Sequence, residues 1–371
     1  MFEKRYFRYF DWINFSLTLL LVTIGLLFVF SATYKPTRPF SLFFKKQACG
    51  AISGLCIYMF FCVKDLRFLK KLCYLVYFGI IGLLLYTFLN GWLVMGAKRW
   101  IPLYFVRFQP SDLAKLFLPM FVAQYFSKQN PKTHKPTLQK SIPFKTFLPP
   151  LAIIFTSFFL VLRQPDLGTA LLILFSGLIL LWFIGIDKKF FIISSLIVII
   201  STPFLWTKLK PYQKQRIMVL LGQGDAKKER YQMEQSKIAI GSGGITGKGF
   251  LRGTQNKLAF LPEDHTDFIF SVICEETGFL GALFVLLLFF LLFTRIIFII
   301  IQTNNFFNQI IAVGLLSHLM LSFCINIGMD VGILPIVGIP LPLFSYGITN
   351  LWISLASLGW LNNIAIRRFY Y

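Results

Sequence analysis

Charged residues are sparse in this chain, at 14% of its 371 residues, so the places where they gather between apolar runs are where chemistry can occur. The densest gathering is LPEDHTD, in which Glu263, Asp264, His265, Thr266 and Asp267 stand just ahead of a very apolar run. A carboxylate there sits at a membrane surface, where desolvation and neighbouring charge tune its proton affinity and suit it to general-base work. Asp264, Thr266 and Asp267 are also placed to cap the helix starting near Phe268, a role worth about 1 kcal/mol. For Asp267 the residues alone leave capping and catalysis open. His265 is a candidate substrate contact beside it, whereas Glu275 and Glu276, two turns on, receive no role. The eight glycines between Gly241 and Gly281 predict backbone that bends sharply or approaches a ligand closely, and Gln235–Gly281 as a whole reads as a structured loop.

Three further clusters accompany it. The first, GAKRWIPLYFVRFQPSDLAK, gathers Lys98, Arg99, Trp100, Arg107, Gln109, Asp112 and Lys115, with a helix start at Gln109–Asp112. Asp112 and Lys115 lie one turn apart inside a membrane span, where charge is expensive unless it is used or neutralised. Lys115 is therefore either half of a structural ion pair or a substrate contact. The second, RQPDLGTA, offers Asp166 or Thr169 as a helix cap, with Arg163 and Gln164 as candidates for phosphate or sugar. KPYQKQR, ending at Arg216, belongs to a large basic loop that suits a pyrophosphate or an acidic headgroup at the bilayer surface; plain lipid contact explains it equally well. The third, PLPLFSYGITN, breaks helical structure at membrane depth, as backbone does where it faces protein or a wet cavity.

Composition dictates the elements that must hold these clusters. A chain that is 56% hydrophobic with a net charge of +22 is a polytopic membrane protein, its cations distributed over short loops. No finger, P-loop or RNA-binding signature supports nucleic acid as a partner; membrane lipids are the expected surface. The six cysteines show no metal-ligand spacing and read as small buried hydrophobes, and His134 stands in a lysine-rich polar loop without a second ligand nearby. The first apolar run lacks a signal-peptidase site and is expected to stay as a helix. About ten transmembrane helices are predicted, near 13–33, 47–64, 72–89, 111–126, 147–162, 168–186, 190–206, 269–294, 309–331 and 345–366. Helices are required because lipid cannot satisfy the backbone, so the fold class is an all-α polytopic membrane protein, a single membrane domain over 1–371. A large extracytoplasmic loop, about 207–268, joins helices 7 and 8. Lys4, Arg5, Arg8, Lys64, Lys70, Lys71, Arg367 and Arg368 put both termini in the cytoplasm, and all four clusters then share the outer face. Trp12, Trp92, Trp182, Trp206 and Trp360 fall near predicted helix ends, as interfacial aromatics do.

In order along nearly the whole chain, GAKRWI, RFQPSDLAK, QPDLGTAL, LKPYQKQRI, QSKIAIGSGGITGKGF, GTQNKLAFLPEDHTDFIFSVICEETGFLG and PLPLFSYG resemble the shape, elongation, division and sporulation (SEDS) family, nearest its RodA-like members. Two departures stand out: SYGITN at Ser345–Asn350 where the family usually reads SYGGSS, and a missing proline-containing run within Leu220–Ser236. The resemblance implies a ten-helix bacterial inner-membrane peptidoglycan glycosyltransferase that polymerises lipid II beside a class B penicillin-binding protein. It implies an essential role for Asp267 and functional roles for Arg99, Trp100 and Arg107. The mechanism expected is general-base attack by Asp267 on an acceptor GlcNAc hydroxyl, with undecaprenyl pyrophosphate leaving. Arg99, Arg107, Arg216 and a divalent cation such as magnesium or manganese would offset the developing charge. The rival reading is a lipid II flippase, which requires a polar route continuing to the cytoplasmic side. A pure scaffold would tolerate change at Asp267.

Overall fold

The computed structural model describes residues 9–37, 39–64, 66–94, 97–103, 106–129, 143–208, 211–220, 227–257 and 260–368. His134 and most of its lysine-rich loop lie outside them. The chain runs α1 (Trp12–Thr33), α2 (Leu42–Val63), α3 (Leu66–Asn90), β1 (Trp92–Val94), β2 (Ala97–Leu103), β3 (Val106–Phe108) and α4 (Pro110–Gln129). After a short turn of tighter helix at Phe144–Phe147 come α5 (Leu148–Arg163), α6 (Leu167–Ile184), α7 (Lys188–Lys208), α8 (Pro211–Leu220), α9 (Lys227–Ser242) and α10 (Thr254–Lys257). The last three are α11 (Ile269–Gln302), α12 (Phe306–Val331) and α13 (Ile348–Arg367). Among the described residues 7 helices are long and apolar enough to cross a membrane: α1, α2, α3, α5 with its preceding turn, α6, α11 and α12. This is a multi-pass helical membrane protein.

Local sequence explains the helix boundaries. Asp11, Ser41, Asp166 and Asn305 each accept an amide of the following first turn, supplying acceptors that lipid cannot. Gly185 at φ 109° and Gly332 at φ 80° end α6 and α12 in the left-handed conformation. The core lies where α13 packs along α2 and where α12 packs on α4 and α6. Gly359 makes the first of these possible, because a Cβ there would meet the Tyr58 carbonyl oxygen.

Several expectations are corrected. Residues 92–94, 97–103 and 106–108 form a three-stranded antiparallel sheet in the order β1-β2-β3, pairing Trp92 with Trp100 and Pro102 with Arg107. Strands of 3, 7 and 3 residues are too short to reveal an alternation, so a wholly helical reading missed them. Part of the stretch read as a loop, Gln235–Ser242, is helical within α9, and α8 and α10 add helix to the region about 207–268. Helix α11 continues eight residues past the predicted end at 294, and Arg295 within it pairs with Asp11, its Nε 2.9 Å from Oδ2. Trp360 is no interfacial residue: it is fully buried and its ring stacks on Phe61 at 5.5 Å between centroids. Of the cysteines, Cys62, Cys73 and Cys274 are buried but Cys49, Cys56 and Cys324 are exposed, so half of them do not fill core.

Candidate functional site

The carboxylate cluster is a tight turn before α11. Glu263 adopts φ 58°, which aims its carbonyl at the amides of Thr266, Asp267 and Phe268 (3.2, 3.1 and 3.4 Å). Asp264 Oδ1 accepts the His265 amide at 2.7 Å and lies 2.9 Å from the imidazole Nδ1. The His265 carbonyl accepts the Tyr346 amide at 2.8 Å, and its ring sits 4.7 Å from Phe43 and 5.5 Å from Tyr346. His265 thus joins the turn to α2 and to the 340s segment.

Helix α11 begins just after this turn. Its cap position is Phe268, which has no acceptor, and the Ser271 amide in the first turn instead donates to Asp330 Oδ2 on α12 at 3.2 Å. The Ser271 hydroxyl donates to the same oxygen at 3.3 Å, and Ser236 on α9 bonds both the Ser271 hydroxyl (2.7 Å) and the Asp330 carbonyl (2.7 Å). Asp267 itself is half-buried, and its main-chain carbonyl accepts Asn326 Nδ2 at 2.8 Å. The same nitrogen donates to the Ile339 carbonyl at 2.9 Å. Between these anchors lies Gly338, at φ 71°, where a Cβ would stand 3.5 Å from Asp267 Oδ2.

That glycine-bearing segment reaches a second cluster. At Gly168, near the start of α6, a Cβ would come 2.7 Å from the Val337 carbonyl oxygen and 2.9 Å from Ile339. Asp166, two residues earlier, caps α6 by accepting the Thr169 amide at 3.1 Å, the role expected of it. Its other oxygen takes Gln109 Nε2 at 2.6 Å and lies 3.5 Å from Arg99 NH1. Arg99 and Asp267 therefore occupy the same end of the bundle, linked through Asp166, Gly168 and the 337–339 backbone.

The remaining candidates are placed as follows. Trp100 is half-buried in β2 next to Arg99, opposite Trp92. The backbones of Arg107 and Arg216 lie in β3 and α8; their side chains lie outside the described part of the structure. Lys115 Nζ is 2.7 Å from Asp112 Oδ1, both side chains almost fully buried, so the pair neutralises itself within α4. Gln164 is spent on α3, donating to the Leu84 carbonyl at 2.9 Å and to Thr87 Oγ1 at 3.1 Å, while Arg163 is exposed.

Glu275 and Glu276 shape the large loop. Glu275 Oε1 accepts Lys248 Nζ at 2.7 Å, the Thr254 amide at 2.7 Å and hydroxyl at 2.9 Å, and the Gln255 amide at 3.1 Å, capping α10. Glu276 Oε1 receives the Ser31 hydroxyl from α1. The Lys248 and Gly249 amides reach the Glu275 and Glu276 carbonyls at 3.0 and 2.9 Å, and a Cβ on Gly247 or Gly278 would collide with the facing backbone. The glycines here bring backbone against backbone, and Gly278 at φ 68° kinks α11 to receive the loop.

Sequence reasoning missed Asn326, Asp330 and Gly338. A signal existed: Asn326 and Asp330 stand four apart in the otherwise apolar CINIGMDV, and polar groups at membrane depth are functional by default. Gly338 gave no signal, because its role depends on which residue faces it. The assembled site offers a half-buried carboxylate at a helix start, fixed through its backbone, with a guanidinium on the same face. Such an arrangement can accept a proton and hold an anion.

Comparison with known proteins places this geometry. Residues 11–369 match the family model of cell cycle proteins that covers FtsW, RodA and SpoVE. The peptidoglycan glycosyltransferase MrdB of Escherichia coli K12 is 42% identical over 280 residues, covering 75% of this chain and 73% of the relative. A chain from a structure described as coordinating polymerization and crosslinking in a peptidoglycan synthase complex superposes with a TM-score of 0.80, at 26% identity over 98% of this chain and 99% of the other. The crystal structure of Thermus thermophilus RodA, the rod shape determining protein, gives a TM-score of 0.71 at 25% identity, over 97% and 98% of the two chains.

Proposed function

This chain belongs to the FtsW, RodA and SpoVE family and is a peptidoglycan glycosyltransferase, and from that premise we propose that Asp267 is its general base. The observation that carries the proposal is the anchoring of Asp267 by its carbonyl to Asn326, with Gly338 beside its carboxylate. In this reading Asp267 takes the proton from a GlcNAc 4-hydroxyl of the acceptor as that oxygen attacks the donor's anomeric carbon. The glycosidic bond forms, the bond to undecaprenyl pyrophosphate breaks, and direct displacement inverts the anomeric centre. Arg99, with Arg107 and Arg216 from β3 and α8, offsets the charge on the departing pyrophosphate. His265 and Trp100 flank the sugar. Among the described residues no three acidic, histidine or cysteine side chains converge as a metal site, so no step is assigned to a divalent cation.

The substrate is lipid II and the partner a class B penicillin-binding protein. With α4, α7 and α13 counted beside the seven apolar helices, ten spans carry the chain through the inner membrane. Both termini then lie in the cytoplasm and the site lies outside. What supports this arrangement is that contacts join the ends it puts outside: Asp267 before α11 meets Asn326 of α12, and Asp166 and Gly168 at the start of α6 meet Arg99 of β2 and the 337–339 backbone. The decisive experiment reconstitutes the chain with a partner whose transpeptidase serine is inactivated and supplies labelled lipid II. Glycan ladders that vanish with Asp267→Asn establish the base. Ladders that persist in that variant reject it, and lipid II crossing proteoliposomes with no ladder in either lane would favour transport.

A further inference from the structure

We infer that Asn326 is a positioning residue for glycosyl transfer, setting the place of the Asp267 carboxylate from α12 without touching substrate. The inference rests on the reading of Asp267 as the base. Asn326 is fully buried, and the two protons of its Nδ2 are divided between two carbonyls, Asp267 at 2.8 Å and Ile339 at 2.9 Å. These carbonyls have no interchangeable neighbours. One belongs to the residue bearing the carboxylate, and the other follows Gly338, the residue nearest that carboxylate across the site. A single nitrogen thus fixes the spacing between Asp267 and the backbone it faces. One turn along the same helix, Asp330 accepts the Ser271 amide and hydroxyl, so the segment from Asp267 to Ser271 is tied at both ends to α12. The backbone that carries the carboxylate is thus held by α12 as well as by its own turn.

The chemistry selects a carboxamide. Aspartate matches its shape but has no N–H, leucine matches its volume but cannot donate, and serine donates only once. Each replacement frees at least one carbonyl, and the turn shifts to find another donor. Misplacing a reacting group by about 1 Å can lower a rate by about a hundredfold. Binding of substrate through Arg99 and Trp100 of β2, outside the turn that shifts, should be spared.

Steady-state polymerisation of lipid II is measured for the full chain with its class B partner, comparing wild type with Asn326→Asp, Asn326→Leu and Asn326→Ser. Thermal midpoint and partner co-purification are measured alongside. The expected result is a kcat lower by about ten- to a hundredfold in the Asp and Leu variants, with KM for lipid II within about twofold of wild type. The acid limb of the kcat–pH profile is expected to move, because the carboxylate has changed surroundings. A purely architectural role would scale the profile in step with the folded fraction and leave its position unchanged, and that outcome overturns the inference. So does wild-type kcat in any folded variant of the three; if the Leu variant does not fold, Asn326→Ser decides by the same criterion. Asp267→Asn run in parallel keeps the two readings apart. Activity there removes the base, whereas an inactive Asp267→Asn beside a fully active Asn326→Leu removes only the positioning role.

Discussion

Helix α11 has an aspartate at each end, and the two are held in opposite ways. Near its end, Arg295 grips Asp11, with Nε 3.1 and 2.9 Å from the two carboxylate oxygens and NH2 2.8 Å from Oδ2. Asp11 Oδ1 also caps α1 through the Asn14 amide at 3.0 Å, and the Asp11 amide donates to Asn362 at 3.1 Å. Every polar atom of that side chain is committed to structure. Just before the start of α11, the main-chain carbonyl of Asp267 is held by Asn326 on α12, and its half-buried carboxylate lies beside Gly338. A carboxylate gripped by a guanidinium and a helix amide serves the packing of α1 on α11, whereas the one at the half-buried helix start is the proposed base. The comparison teaches that acidity of sequence is a poor guide to function, and that how the residue is anchored is a better one.

The largest effect is expected where the comparison is broken at the working end. Asp267→Asn keeps size and backbone anchoring but removes the base, so polymerisation should fall about 10²- to 10⁴-fold with thermal stability and partner binding unchanged. A ladder assay beside a melting curve checks both halves. At the other end the pattern should reverse: Arg295→Met strands the buried Asp11 carboxylate, lowering stability by about 2 kcal/mol because Arg295 is partly exposed, while kcat per folded molecule stays near wild type. A proportional loss of kcat would show that the Asp11 end also serves the reaction.

The Asp112–Lys115 pair sharpens the comparison in the middle of the bundle. Lys115→Ala leaves a buried unpaired carboxylate and should cost about 1–3 kcal/mol, whereas the double replacement Asp112→Leu with Lys115→Met should regain most of that stability. If polymerisation returns with stability, the pair is architectural. If stability returns and activity does not, Lys115 also contacts substrate. The smallest effect belongs to Gly338→Ala. Its left-handed backbone makes alanine strained by about 1 kcal/mol, and the new methyl would sit 3.5 Å from Asp267 Oδ2, so kcat should fall a few-fold with KM little changed. An unchanged kcat would mean that the 338 backbone does not confine the carboxylate.

Much of this molecule was readable in its sequence, for physical reasons. Lipid forces apolar runs into helices, so the seven long apolar helices could be read from length and composition, and the polar clusters stood out as interruptions. Asp267, Arg99 and Asp166 were visible because charge at a membrane surface is conspicuous. Where the reading failed, the cause was pairing across distance. The strands β1, β2 and β3 were too short to show a period, and Trp360 looked interfacial until Phe61 and Phe117 enclosed it.

The sequence by itself determined that this is a multi-pass helical membrane protein with its candidate chemistry concentrated before the apolar run at Phe268. Only the tertiary structure decided what each polar residue does. It gave the capping of α11 to Asp330, the anchoring of Asp267 to Asn326, the ordering of the large loop to Glu275 and Glu276, and the pairing of Arg99 to Asp166. The reason is that hydrogen bonds and ion pairs act over about 3 Å, and which groups come that close depends on how distant helices pack.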